Sequence, residues 1–217
     1  HDLGLFVFNT AIASVVILIL FDPLRASVEE RLTQLVFREK FEFTRQAESL
    51  RGGLTKVIDV NALADTLLQH LERSRRVTHA SIYLFDDDGL AYSLLGNIGS
   101  EVPERLDAIT SRPFLDRLMV DKLVAVENLE AEREEILKRE AAEDQGRVEL
   151  LDAVIMTMQS LESALSIALV SGEQLIGILN VRDERLREAY AADEIKALTA
   201  LAGQATITIE NSRLFDR

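Results

Sequence analysis

The chain has no cysteine. Disulfides, thiolate nucleophiles and thiol-based metal sites are excluded together. Histidine is nearly as scarce: His1, His70 and His79 are the three, too scattered in sequence to suggest a metal cluster. Positive charge is in deficit, with 24 Lys and Arg against 37 Asp and Glu and a net charge of −13. A nucleic-acid partner needs an excess of Lys and Arg for its phosphates, so no nucleic acid is expected. The acid excess favours solubility for whatever part sits in water. A length of 217 residues bounds one globular domain of ordinary size with extra helix in front. The first residue is His rather than Met, so a piece of a longer protein is the expectation.

Residues 3–21 contain no charged side chain. As a helix they would span about 28 Å, close to a bilayer core. A signal peptide would need a basic start and a small-residue cleavage site, and this stretch has neither. A buried core helix is the alternative; a transmembrane helix over residues 1–21 is the preferred reading. Asp22 can cap a new helix, with Pro23 at its first position. Arg25, Arg31, Arg38, Lys40 and Arg45 follow closely. Basic residues beside a span mark the cytoplasmic side, so the expected place is the cell inner membrane with the remainder in the cytoplasm. Residues 22–58 read as a connector helix with Leu24, Val28, Leu32, Leu35, Val36, Phe41 and Phe43 mostly at helical spacings. It either covers a core or pairs with its own copy as a two-stranded relay. Gly52-Gly53 breaks or loosens it.

Asp59 or Asn61 can cap a helix over 61–76, with Leu63, Ala64, Leu67, Leu68 and Leu71 as its stripe. His70 reads as an ordinary helix residue. Residues 80–85 alternate in polarity; Asp86-Asp87-Asp88-Gly89 and residues 90–95 complete a hairpin. Three adjacent Asp do not give the alternate spacing of a calcium loop. Residues 103–119 read as loop and short helix, with Ser111 a candidate cap before Phe114, Leu115 and Leu118. Residues 122–126 are a third candidate strand. The charge-dense stretch 127–152 holds Glu134/Lys138 and Glu135/Arg139 pairs, as a solvated helix would, and Gly146 is a candidate end. Leu150, Leu151, Val154, Ile155 and Met158 mark another helix. Two apolar runs, 165–170 and 175–181, flank Ser171-Gly172-Glu173 as a second hairpin, and a long helix follows over 192–216. The expected fold class is α+β: an antiparallel sheet with helices on both faces, the first and last on one face and the middle ones on the other.

The closing segment, LIGILNVRDERLREAYAADEIKALTALAGQATITIENSRLF, resembles the end of a GAF domain through Leu198, Leu201, Ala202, Gln204, Ala205, Ile209, Asn211, Arg213 and Leu214. The resemblance covers residues 59–217. Pro23-Leu24-Arg25, Val28, Leu35, Phe37-Arg38 and Phe41 resemble the connector of membrane-anchored bacterial sensor histidine kinases. Together these imply an input module that dimerises through its first and last helices and signals to a histidine kinase. A ligand-free dimerisation scaffold, or an input to a diguanylate cyclase, phosphatase or transcription activator, is the alternative. The tail ENSRLFDR has no Gly or Pro, so the last helix could continue as a coupling helix.

The resemblance also implies what to look for in a site. Family members hold a small molecule, where they hold one, between the sheet and the middle helices. Bilins attach through Cys, and reduction of free methionine sulfoxide depends on Cys; this chain has none. The cyclic-nucleotide residue set has no counterpart here, and His79 is the one candidate haem ligand. The expectation is no catalytic residue, no metal and no cofactor, with an unidentified small molecule as possible ligand. The candidate ligand-binding residues are Ser81, Tyr83 and Phe85, which share a strand face by the period of two, with Tyr92 and Ser166. Plain packing is the other reading of that face.

Overall fold

In the computed structural model the described residues are 59–86, 89–139, 144–185 and 189–215. The expected transmembrane helix at 1–21 and the connector at 22–58 lie outside them. Among the described residues no helix is long and apolar enough to cross a membrane.

Helix α1 (Val60–Arg73) starts where Asp59 accepts the Asn61 N–H at 3.0 Å, the expected side-chain cap. It buries Leu63, Ala64, Leu67, Leu68 and Leu71. The expected end at 76 is three residues late. Arg75 takes a left-handed φ of 56°, which stops the helix, and Arg76 turns inward. Strands β1 (His79–Phe85) and β2 (Ala91–Ile98) form the first hairpin, with Gly89 at φ 73° in its turn. Asp87 and Asp88 lie outside the described residues. Strand β3 (Arg105–Asp107) is a three-residue edge strand within the expected loop.

Helix α2 (Arg112–Asp121) buries Phe114, Leu115 and Leu118. Ser111 sits at its N-cap position but makes no side-chain capping bond; Pro113 in the first turn supplies the preset backbone instead. Strand β4 (Leu123–Ala125) runs straight into helix α3 (Val126–Lys138). Helix α4 (Gln145–Ser160) carries Gly146 in its first turn, so that glycine opens a helix rather than ending one. Strands β5 (Leu165–Ser171) and β6 (Gln174–Arg182) make the second hairpin, and helix α5 (Ala192–Phe215) follows.

The six strands form one sheet in the order β3-β2-β1-β6-β5-β4. Every pairing is antiparallel. Alternation along the central strands sends Ala80, Ile82, Ile167, Leu179 and Val181 to one face, under α1 and α5. Tyr83, Ala168 and Ile178 face the other way, under α2, α3 and α4. The fold class is the expected one, a GAF-like α+β arrangement with the predicted allotment of helices to faces.

Gly177 is where β6 can pass the neighbouring strands. A Cβ there would meet the Tyr83 carbonyl oxygen at 2.6 Å and Leu84 Cδ2 at 2.8 Å. Backbone cannot retreat as a flexible side chain can. Gly177→Ala is therefore expected to lose about 1–3 kcal/mol, seen as a lower unfolding midpoint in denaturant.

Candidate functional site

Register across three strands builds a polar row inside the sheet. Ser81 on β1 lies opposite Asn180 on β6, and Asn180 lies opposite Ser166 on β5. By alternation all three point to the middle-helix side. Ser166 Oγ donates to Asn180 Oδ1 at 2.7 Å, and Asn180 Nδ2 donates to Ser81 Oγ at 3.1 Å. Ser163 Oγ extends the row, 2.9 Å from Ser166 Oγ. All four are buried. A polar group in such a place must be hydrogen-bonded to be tolerated. Each amide and hydroxyl here has a partner.

The aromatic candidates sit beyond the row. Tyr83 Oη donates to the Pro103 carbonyl at 2.6 Å, and Tyr92 Oη donates to the Leu175 carbonyl at 3.0 Å. Burial pushes both phenols up to about 12. The Phe85 ring packs against Tyr92 at a tilt of 51°, with ring centroids 5.0 Å apart. Thus the structure joins Ser81 to Ser166 through Asn180, and Phe85 to Tyr92, as two neighbouring clusters. Asn180 was missed in sequence. Its signal was a lone amide inside the apolar run of β6.

None of the five candidates lines the cavity of about 480 Å³ among α2, α3 and α4. That cavity has Leu151 and Val154 in its floor and Arg117, Glu132 and Arg147 about its mouth. Arg117 is already bound to Glu132 at 2.9 Å and to Asp121. A second void, about 10 Å³ between the sheet, α1 and α5, is lined by Leu67, Ile82 and Ile209 among other apolar side chains. Its lining is wholly apolar and offers an ordered water no polar partner.

The haem candidate His79 is buried, with Nδ1 2.9 Å from Thr78 Oγ1 and Nε2 2.9 Å from Ser100 Oγ. Both ring nitrogens are engaged by hydroxyls. His70 Nδ1 lies 3.0 Å from the Thr66 carbonyl in its own helix. Among the described residues no group of three or more His, Asp or Glu could hold a metal.

A charged cluster unforeseen in sequence closes one end of the sheet. Arg76 is 1 % exposed. It donates to Glu194 at 2.7 and 3.3 Å and to Asp183 at 3.0 Å, and its guanidinium lies 4.8 Å over the Tyr190 ring. Burial alone would lower the Arg76 pKa; the Glu194 and Asp183 carboxylates outweigh it and hold the guanidinium above its ordinary value. Burial would raise Asp183, but hydrogen bonds from Arg185 and Arg76 hold its carboxyl below the usual range. Glu194 Oε2 also accepts the Ala191 N–H at 2.7 Å, the return half of a capping box at the start of α5.

The family model described as GAF domain matches residues 57–210. No curated protein matches the chain. Among solved structures, a methyl-accepting chemotaxis protein, residues 122 to 287, aligns with a TM-score of 0.56 at 14% identity, over 76% of this chain and 97% of that one. The GAF domain of a phosphoenolpyruvate-protein phosphotransferase from Coxiella burnetii aligns with a TM-score of 0.55 at 13% identity, over 82% and 98%. The free methionine-R-sulfoxide reductase of Neisseria meningitidis, solved with its substrate, aligns with a TM-score of 0.53 at 16% identity, over 79% and 90%. At such identities the likeness is one of fold. The family match covers most of the chain: it belongs to the GAF domain family.

Proposed function

We propose that this GAF domain is the input module of a membrane-bound sensor histidine kinase of a two-component system. It works as a homodimer and relays its signal through α1 and α5 to an output domain. Residues 3–21 anchor it in the inner membrane, and the basic residues after them keep the domain on the cytoplasmic side.

The observation that carries this reading is the outward face of α5. Its inner face is committed to the core through Leu198, Leu201, Ala202, Ala205 and Ile209. Opposite them Thr199, Gly203, Ile207 and Asn211 recur every four residues and are all exposed. Ile207 is 51% exposed, and a Cβ at Gly203 would meet nothing within 4 Å. A large aliphatic beside a bare glycine on one helical line suits close approach of a second helix.

Absence of native cysteine makes the test clean. Single cysteines at Thr199, Gly203, Ile207 and Asn211 are expected to cross-link two copies of the full chain in membranes under mild oxidation. Val120→Cys on α2, 77% exposed on the other side of the sheet, is the control and is expected to stay monomeric. Equal cross-linking at Val120, or none along α5, would end the proposal.

The state of the candidate ligand face favours a relay that works without a small molecule. Every polar side-chain atom of Ser81, Tyr83, Tyr92 and Ser166 already has a protein partner. A ligand there would have to replace those bonds. A thermal-shift screen of small metabolites is expected to give no stabilisation by this face.

A further inference from the structure

Helix α5 is fastened at both ends, and the two fastenings differ. At its first turn Glu194 is bound by Arg76, and both are only 1% exposed. At its last turn Arg213 Nη2 donates to the Phe85 carbonyl at 2.9 Å, in a partly exposed place. Glu210, one turn earlier, accepts from Ser171 Oγ. The first fastening ties α5 to the segment after α1 and, through Asp183, to the end of β6. The second ties it to the last residue of β1.

Phe85 joins two sides of the sheet. Its ring packs on Tyr92 within the middle-helix core, while its carbonyl receives Arg213 from the helix on the opposite face. A shift of the strand end that carries the Phe85–Tyr92 pair moves that carbonyl with it, because the pair and the carbonyl sit on the last residues of the β1–β2 hairpin. The Arg76 end has no such link to the middle helices among its bonds.

We propose that α5 is a lever, pinned at its first turn by Arg76–Glu194 and clasped at its last turn by Arg213 on the Phe85 carbonyl, with the clasp as the contact that opens. A buried, multiply bonded charge pair cannot part without stranding a charge. The bonds at the far end, Arg213 to a carbonyl and Ser171 to Glu210, are partly exposed and can exchange for water at lower cost than the buried ion pair. Repacking of the middle-helix core therefore frees the far end of α5 while its start stays put. This rests on the reading of α5 as the relay helix, since a lever matters only if its free end leads somewhere.

Hydrogen exchange on the full chain in detergent tests it. Arg213→Ala is expected to speed amide exchange over residues 207–215 by about tenfold, with residues 192–201 and the thermal midpoint unchanged. Arg213→Lys, which keeps a donor, is expected to restore part of the protection. Phe85→Leu, which removes the ring but not the carbonyl, is expected to loosen the same residues. Faster exchange spread evenly along α5, or no change at its end, overturns the lever. Cysteine cross-linking along α5 is read in the same variants: if it persists while the exchange asymmetry is absent, the lever fails and the dimeric relay stands. If the asymmetry is seen without cross-linking, the relay between subunits fails and the lever stands.

Discussion

Replacing Arg76 by Met is expected to lower the unfolding free energy by about 3–5 kcal/mol, measured by urea denaturation followed by circular dichroism. Met fills the space of the stem but leaves Glu194 a buried carboxylate without its cation, while Asp183 keeps only Arg185. Their side chains are 1% and 2% exposed, so water cannot take the place of the guanidinium. The Tyr190 ring loses its cation at the same time. Removing the group as a whole, with Glu194→Met and Asp183→Asn added to Arg76→Met, is expected to recover much of the loss, since no stranded charge remains. A single Arg76→Met variant as stable as the parent would show that the cluster is open to water. Acid acts on the same group. The Asp183 carboxyl is held below its ordinary value in the folded chain. Its contribution is therefore present above the unfolded-state carboxylate range, near pH 4, and is lost as pH falls through the lower folded value. Arg185 supplies most of that depression and stays in place, so Arg76→Met is expected to lose only the smaller part due to Arg76.

Asn180→Leu is the second large effect, expected at about 2–4 kcal/mol by the same measurement. The new side chain has nearly the right shape and twice the wrong chemistry. Ser81 Oγ loses its donor and Ser166 Oγ loses its acceptor, both in places closed to solvent. Ser166 keeps Ser163 as a neighbour, so Ser81 bears the greater part. Adding Ser81→Ala and Ser166→Ala to Asn180→Leu is expected to restore most of the stability, because an apolar row of the right volume has no unmet bond. If the triple variant stays as unstable as the single one, packing rather than pairing is what Asn180 provides.

The element types were largely legible because apolar spacing announces them. The stripe Leu63, Leu67, Leu71 marks α1, and the alternation around Ser81 marks β1. Where sequence reading erred, a local signal was outvoted or too short. Gly146 is a helix breaker by propensity, yet it sits in the first turn of α4, where backbone bonds are incomplete anyway. Ser111 is a good cap by type, but its side chain does not reach its own helix. Three residues of β3 carry no period to detect, since pairing with β2 alone defines them.

The candidate site divides the same way. Ser81, Tyr83, Phe85, Tyr92 and Ser166 were placed on strands correctly by the period of two. What they touch was beyond that period. Asn180 meets Ser81 and Ser166 only because β6 lies between β1 and β5, and strand order is a matter of which distant segments pair.

By itself, then, the sequence determined all the longer helices and strands, the antiparallel hairpins, the absence of thiol chemistry and the membership of the closing helix in a known pattern. These are local properties, written in spacing and composition. Tertiary structure alone decided that Arg76, Asp183 and Glu194 meet in the dark, that a serine–asparagine row crosses the sheet and that Arg213 grips the Phe85 carbonyl. Each is a bond between residues far apart in the chain, and only the folded sheet brings their short-range forces within reach.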